Sequence, residues 1–272
     1  MTAPEQTLNI NNCTTTDKKR KTTKSGVLEE KQEPWTLTDS VTNPSKEATL
    51  VQKMENCINK IDKSEFYHTF KDRIQTSVAD YFNRVLGSEL KMQMVIYGIG
   101  SIQLYDHEFP IEPPRLQLSL AILLRRDFSW IGIIEVFDPI ISATESQVLE
   151  SLGCVVMSIN KHGRREALKL TMFFMAHCEA ELYNNLLQAN LKLNLLKNMV
   201  LFGNNFETYS SMCHYAKTHL FLIQWGHILA ARGFTHEFRI QTVSDDYYNV
   251  FHDSSWHFFS PSLETELQFI NS

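Results

Sequence analysis

The 272-residue sequence lacks paired cysteines, an excess of basic residues and a long apolar run, and each absence excludes a class of protein. The net charge of −5 provides no dominant basic surface, so we expect no direct nucleic-acid binding. The longest apolar stretch near the C-terminus, 220–231, contains Gln224 and His227 and is too short to span a bilayer. No signal peptide is apparent, so we expect an intracellular protein outside the membrane.

The cysteines are odd in number and widely spaced, without a Cys-x-x-Cys pair. They are Cys13, Cys57, Cys154, Cys178 and Cys213. This arrangement is typical of reduced intracellular thiols and does not indicate a disulfide framework. No histidine spacing matches a zinc motif such as His-Glu-x-x-His, so the sequence predicts no metal site.

Composition divides the chain into four segments. The first is rich in Thr, Asn, Lys and Glu and is predicted to be disordered. Its basic run, Lys18-Lys19-Arg20-Lys21, is either a solvated charge cluster or a nuclear-import signal. In the second, apolar residues from Phe66 to Val85 recur at helical intervals. This predicts a helix with one apolar stripe and with Gly87 as its C-cap. The segments are a tail (1–47), a helical lead-in (48–91), an α/β domain (92–260) and a C-terminal tail (261–272).

Short apolar segments then alternate with helical patterns. The predicted strands are 94–97, 131–137, 154–157, 170–175 and 199–202, and the predicted helices are 116–124, 144–152 and 179–191. Pro113-Pro114 stand where the first of these helices could start, and Thr144 is the predicted N-cap of the second. From Phe221 onward we expect one more helix and an edge strand. The alternation predicts a three-layer, Rossmann-like α/β fold with a mostly parallel sheet covered on both faces.

The first predicted strand leads into two closely spaced glycines, Gly98 and Gly100. Glycine permits positive φ and close approach of a neighbouring group where a strand turns. The nucleotide-binding pattern G-x-G-x-x-G has Gln103 at its third glycine position. A nucleotide-binding turn and an ordinary tight βα turn therefore both remain open.

Small, polar or titratable residues follow several predicted strands. Ligands of open parallel sheets bind at the carboxyl ends of the strands. The sequence therefore predicts a ligand crevice formed by Gly98, Gly100, Ser101, Asp138, His177, Cys178, Gly203 and Asn204. Asp138 either binds ribose hydroxyls or caps the turn before Pro139; it lies 40 residues after Gly98, whereas about 20 is usual in the nucleotide-binding pattern.

His177 and Cys178 are adjacent where a strand ends and a helix begins. A helix N-terminus and a neighbouring imidazolium stabilise a thiolate, so a nucleophile or a metal or haem ligand pair could follow. Adjacent side chains on an extended backbone point to opposite sides, and no acidic residue stands at a diagnostic spacing. A packed, hydrogen-bonded turn is the alternative, and we predict no catalytic residue.

A series of motifs falls in an order that resembles the sensitivity-to-red-light-reduced family, from about Met92 to Phe259. The motifs are Tyr97-Gly98-Ile99-Gly100, Asp138-Pro139, Leu152-Gly153-Cys154, Met175-Ala176-His177-Cys178, Leu182-Tyr183-Asn184-Asn185-Leu186-Leu187, Ala189-Asn190, Gly203-Asn204-Asn205-Phe206 and Phe251-His252-Asp253-Ser254-Ser255-Trp256-His257. The chain departs from the family's Met-Pro-His-Cys at Ala176, from its Gly-Asn-Ser-Phe at Asn205, and from a common Asn at Ser101.

The resemblance implies a regulatory protein of the cytoplasm and nucleus. It implies a role in circadian-clock input or haem biosynthesis, through sensing of a small ligand in the crevice. It brings no catalytic residues, and we expect protein partners. A nucleotide or haem is the expected ligand of the crevice, but no cofactor is identified. Two alternatives remain: a nucleotide- or S-adenosylmethionine-dependent enzyme that uses the same crevice, and a pure protein-interaction module.

Overall fold

The computed structural model describes residues 34–103, 113–216, 219–241 and 245–261, and a seven-stranded sheet forms its centre. The strands are β1 (Met92–Tyr97), β2 (Ile131–Phe137), β3 (Cys154–Val156), β4 (Thr171–Met175), β5 (Met199–Asn204), β6 (Thr235–Arg239) and β7 (Ser254–Phe259). Their order is β3-β2-β1-β4-β5-β7-β6. Neighbours from β3 to β5 pair in parallel, whereas β7 is antiparallel to both β5 and β6.

Ten helices surround the sheet in the described ranges. They are α1 (Pro44–Asp62), α2 (Glu65–Gln75), α3 (Ala79–Leu86), α4 (Pro113–Asp127), α5 (Ala143–Ser151), α6 (Ala180–Asn190), α7 (Leu193–Leu196), α8 (Phe206–Ala216), α9 (His219–Arg232) and α10 (Asp245–Phe251). The mostly parallel sheet and its helices confirm the predicted fold class. None of these helices combines the length and apolar content that crossing a membrane requires. The predicted basic run and most of both predicted tails lie outside the described residues.

The predicted single lead-in helix is instead three helices. Ser64 interrupts it because its side chain accepts a hydrogen bond from the Tyr67 backbone N–H and so caps α2. The first helix starts at Pro44, inside the predicted tail, where the Asn43 side chain accepts from two backbone N–H groups. The apolar stripe is buried as expected, and Gly87, with a φ of 54°, is the C-cap of α3.

The predicted helix between β2 and β3 is confirmed, but its N-cap is not Thr144. Ser142 accepts from the Glu145 backbone N–H, and the Glu145 carboxylate accepts from the Ser142 backbone N–H, which makes a capping box. The Thr144 hydroxyl accepts instead from the backbone N–H of Asn43, which precedes α1. The Ser-x-x-Glu spacing at Ser142 and Glu145 is the local sequence signal for this cap.

The two faces of the sheet carry two apolar clusters. Alternate residues of β1, such as Met94 and Ile96, pack on one face with α1, α4 and α5. Val95 and Tyr97 point to the opposite face and pack with the cluster that contains Tyr183 of α6. The period-2 alternation of a strand thus divides the core into two layers.

The C-terminal region contains more structure than the predicted helix and edge strand. α9 and the edge strand β6 are followed by α10 and by β7, which inserts between β5 and β6. Every residue of β7 is buried, so its sequence shows no alternation of apolar and polar residues. Because it contains Ser254, Ser255 and His257, β7 does not stand out in the sequence as an apolar run.

Candidate functional site: a crevice at the carboxyl ends of three strands

A cavity of about 390 Å³ lies where β1, β2 and β4 end. It is lined by Tyr97, Gly98, Phe137, Asp138, Pro139, Asn160, His162, Gly163, His177, Cys178, Glu179, Glu181, Leu182 and Asn185. We refer to this cavity as the crevice. The cavity lies beside β1, where the strand order changes direction. Open α/β sheets bind ligands at such a point.

The carboxylate of Asp138 closes the turn after β1. Its Oδ2 accepts from the Gly100 backbone N–H at 2.8 Å, and its Oδ1 accepts from the Ile140 N–H at 3.1 Å. Gly98 and Gly100 have φ values of 65° and 75°, which favour glycine. Each carboxylate oxygen can accept a second hydrogen bond, so Asp138 keeps acceptor capacity beside the cavity.

Cys178 is anchored to β1. Its Sγ lies 3.1 Å from the carbonyl oxygen of Tyr97, to which the thiol donates. A Cβ built on Gly98 would lie only 2.5 Å from the same sulfur, so this glycine admits the thiol. Burial, reinforced by the carboxylates of Asp138 and Glu179, raises the pKa of the Cys178 thiol well above its ordinary value. Such a thiol is a poor nucleophile and a poor iron ligand.

The side chain of His177 packs against His252, whereas the thiol of Cys178 contacts Tyr97. His177 has a φ of 57°, and its backbone N–H donates to Asn204 Oδ1 at 2.9 Å. Its ring lies 4.6 Å from the His252 ring, centroid to centroid. Partial desolvation and, next, the nearby His252 lower the pKa of His177 below its ordinary value. The two neighbours therefore form no Cys-His dyad.

Gly203 and Asn204 support the turn and do not line the crevice. A Cβ on Gly203 would lie 2.5 Å from the Tyr183 hydroxyl, so this glycine makes room for that ring. The hydroxyl donates to the Met175 carbonyl and accepts from the Asn204 N–H. The Asn204 side chain donates to the Cys178 carbonyl at 3.0 Å and thereby holds the start of α6.

Ser101 also lies outside the crevice lining. Its hydroxyl donates to Glu145 Oε1 at 2.6 Å, and both residues are buried. The same Glu145 oxygen accepts from the Gln103 backbone N–H at 3.1 Å. This network ties the glycine turn to the capping box of α5, so Ser101 acts through the shape of the turn.

Four of the predicted site residues line the crevice, and four support it from behind. Gly98, Asp138, His177 and Cys178 belong to the first group, and Gly100, Ser101, Gly203 and Asn204 to the second. The β3–β4 connection also lines the crevice, which was not predicted from the sequence. The polar turn at Asn160-Lys161-His162-Gly163 was the available signal, with positive φ at both His162 and Gly163. No group of described residues has the composition and geometry of a metal site.

Comparisons with known proteins give one consistent family. A family model described as the SRR1 domain matches residues 68–258. The chain is 50% identical over 237 residues to the Arabidopsis thaliana protein SENSITIVITY TO RED LIGHT REDUCED 1, covering 86% of this chain and 83% of that protein. It is 34% identical over 123 residues to the Mus musculus SRR1-like protein, covering 43% and 45% of the two chains.

Solved structures give only a distant likeness. The plantazolicin methyltransferase BpumL, in complex with a pentazolic desmethylPZN analog and SAH, aligns with a TM-score of 0.34 and 8% identity over 80% of this chain and 98% of that one. The N-methyltransferase NodS from Bradyrhizobium japonicum WM9, in complex with SAH, aligns with a TM-score of 0.32 and 9% identity over 78% of this chain and 99% of that one. At these scores the likeness carries no functional argument.

Proposed function

The chain belongs to the SRR1 domain family, and from that membership we propose that it is a regulatory protein of red-light signalling. The observation that carries the proposal is the 50% identity with the Arabidopsis protein, which extends over most of both chains. The motifs that resemble the family extend the proposal to circadian-clock input and haem biosynthesis, with the protein in the cytoplasm and the nucleus. Protein partners are part of the same proposal.

Functional replacement tests the regulatory role. We expect this chain, expressed in Arabidopsis seedlings that lack the 50% identical relative, to restore the inhibition of hypocotyl growth by red light. Dark-grown seedlings of the same lines are the control, because a growth effect without light would not be signalling. Accumulation of the protein without any recovery in red light would contradict the proposal.

We further propose that the crevice takes a nucleoside-containing ligand. Tyr97, Phe137 and Pro139 offer apolar surface for a base, while Asp138 and Asn185 place hydrogen-bonding groups around the same cavity. The spare acceptor capacity of Asp138 suits ribose hydroxyls, as in other folds with a carboxylate after the second strand. Haem is less well matched, because binding its iron through Cys178 would break the hydrogen bond to Tyr97.

The enzyme alternative uses the same cavity but has weaker support. A reaction needs a reacting group, and the sequence offered only His177 and Cys178. The first lies beside His252 and the second is a buried thiol with a raised pKa. A regulator that binds its ligand without converting it agrees better with this geometry.

Thermal unfolding in the presence of adenosine, ATP, NAD, S-adenosylmethionine and haem tests the ligand class. A ligand present at about 100 times its dissociation constant adds roughly 2.7 kcal/mol. For a chain of this size we expect a rise in melting temperature of about 5–10 °C with at least one nucleoside compound. A response to none of them, or to haem alone, would contradict the proposed ligand class.

Asp138→Asn should reduce that ligand-induced rise, and the matched control Asp72→Asn, an exposed carboxylate on α2, should leave it unchanged. Each rise is measured against the variant's own ligand-free melting temperature. This separates ligand contact from the structural hydrogen bond of Asp138 to Gly100.

A further inference from the structure

At the edge formed by β2 and β3, one face of the sheet is left uncovered by the described helices. The connection between β3 and β4, residues 157–170, contains no helix, although crossovers between parallel strands usually do. Ile133 is 63% exposed, Val155 49% and Leu168 74%. Parallel sheets normally bury both faces, so three exposed apolar side chains in this region indicate a surface that another element covers.

The uncovered face is a cleft of about 910 Å³ with a basic rim. Its lining includes four basic side chains and two acidic ones, in a chain whose net charge is −5. The basic residues are Lys161, Arg164, Arg165 and Lys169, and the acidic ones are Glu135 and Glu166. Arg165 pairs with Glu135, which leaves the rim positive overall.

Hydrogen bonds from other elements hold the β3–β4 connection in shape. The Asn190 side chain accepts from the Ala167 backbone N–H at 2.7 Å and donates to the Arg165 carbonyl at 2.7 Å. The Asn198 side chain donates to the Ala167 carbonyl at 2.9 Å. On the opposite side of the connection, the Trp35 N–H donates to the Ser158 carbonyl at 2.9 Å. A pre-organised loop reduces the entropy lost when a partner binds.

We propose that this cleft docks an acidic amphipathic helix of a partner protein. The helix would occupy the place of a crossover helix, with its apolar stripe on Val155 and Leu168 of the cleft and its carboxylates facing the basic rim. A second copy of the chain, docked face to face, would bring two positive rims together. A nucleic acid would leave the exposed apolar side chains uncovered and would meet two carboxylates.

Site-specific photo-crosslinking in the full-length chain tests this interaction. Leu168→benzoylphenylalanine and Val155→benzoylphenylalanine place the probe in the cleft, and Leu90→benzoylphenylalanine is the control at an exposed leucine that does not line it. The variants are irradiated in the cells of origin, and the crosslinked peptides are sequenced by mass spectrometry. We expect both cleft probes, and not the control, to crosslink to one acidic segment with apolar residues at helical spacing.

Charge reversal gives the second readout. Lys161→Glu with Lys169→Glu should lower the crosslinking yield by roughly tenfold or more, because the rim would then repel the carboxylates. The matched control, Lys46→Glu with Lys197→Glu, reverses two exposed lysines that do not line the cleft and should leave the yield unchanged. Crosslinks to the same chain, to a second copy, to a basic or non-helical segment, or at the level of the Leu90 control would overturn the proposal.

Discussion

At the scale of single residues, the glycines at the strand ends admit side chains of the protein itself. Gly98 makes room for the Cys178 sulfur, and Gly203 for the Tyr183 hydroxyl. A glycine next to a strand end is often interpreted as access for a ligand. Here the groups that approach the two glycines are side chains of the same chain, and their positions shape the crevice.

Gly203→Ala should therefore destabilise the protein strongly. The added Cβ would lie 2.5 Å from the Tyr183 hydroxyl and 2.7 Å from its Cε1, and Tyr183 is fully buried. Overpacking together with the displaced hydrogen bonds to Met175 and Asn204 should cost about 2–4 kcal/mol of unfolding free energy, measured by urea denaturation.

The control for this substitution is Gly226→Ala within α9. Among the described residues, and apart from the backbone of its own helix, no atom lies within 4 Å of a Cβ built on Gly226, and alanine is the better helix former. This variant should be unchanged or more stable, by up to about 1 kcal/mol. If the two variants unfold at the same urea concentration, the close approach of Tyr183 to Gly203 is not important for stability.

At the scale of elements, caps decide where helices begin. The capping box of Ser142 and Glu145 starts α5, and the same Glu145 holds Ser101 in the glycine turn. One carboxylate thus connects the start of a helix with the loop that follows β1. These hydrogen bonds satisfy an acidic side chain at a buried position.

Ser142→Ala should remove the side-chain half of that cap. We expect a loss of about 1 kcal/mol, which corresponds to a fall in melting temperature of about 2–4 °C. Ser151→Ala, at the exposed C-terminal end of the same helix, is the matched control and should shift the melting temperature less. Equal shifts for the two serines would mean that the capping box contributes nothing beyond a surface hydroxyl.

At the scale of the whole molecule, the crevice and the cleft meet at Tyr97. This residue lines both, and the guanidinium of Arg165, on the cleft rim, influences the pKa of its hydroxyl. Burial raises the pKa of Tyr97 to about 12, although Arg165 acts in the opposite direction, so the phenol stays protonated at physiological pH. A ligand in the crevice and a helix in the cleft would contact the same side chain, and any coupling between them would be reciprocal.

The sequence by itself determined the elements of the α/β core. Apolar runs identified β1 to β5, and helical patterns identified α4, α5 and α6 between them, with Gly153 at the end of α5. These signals are local, because burial of one face and satisfaction of terminal backbone groups act within a few residues. The membership of Asp138 and Cys178 in one crevice also followed from the rule that parallel strands end at one edge.

Only the tertiary structure decided what each polar residue does. Asp138 reaches Gly100, Cys178 reaches Tyr97 across 81 residues of chain, and β7 inserts between β5 and β6. The uncovered face beside β3 became visible only when the strands were placed in order. Hydrogen-bond partners and burial depend on which distant segments meet, and local periodicity contains no information about that choice.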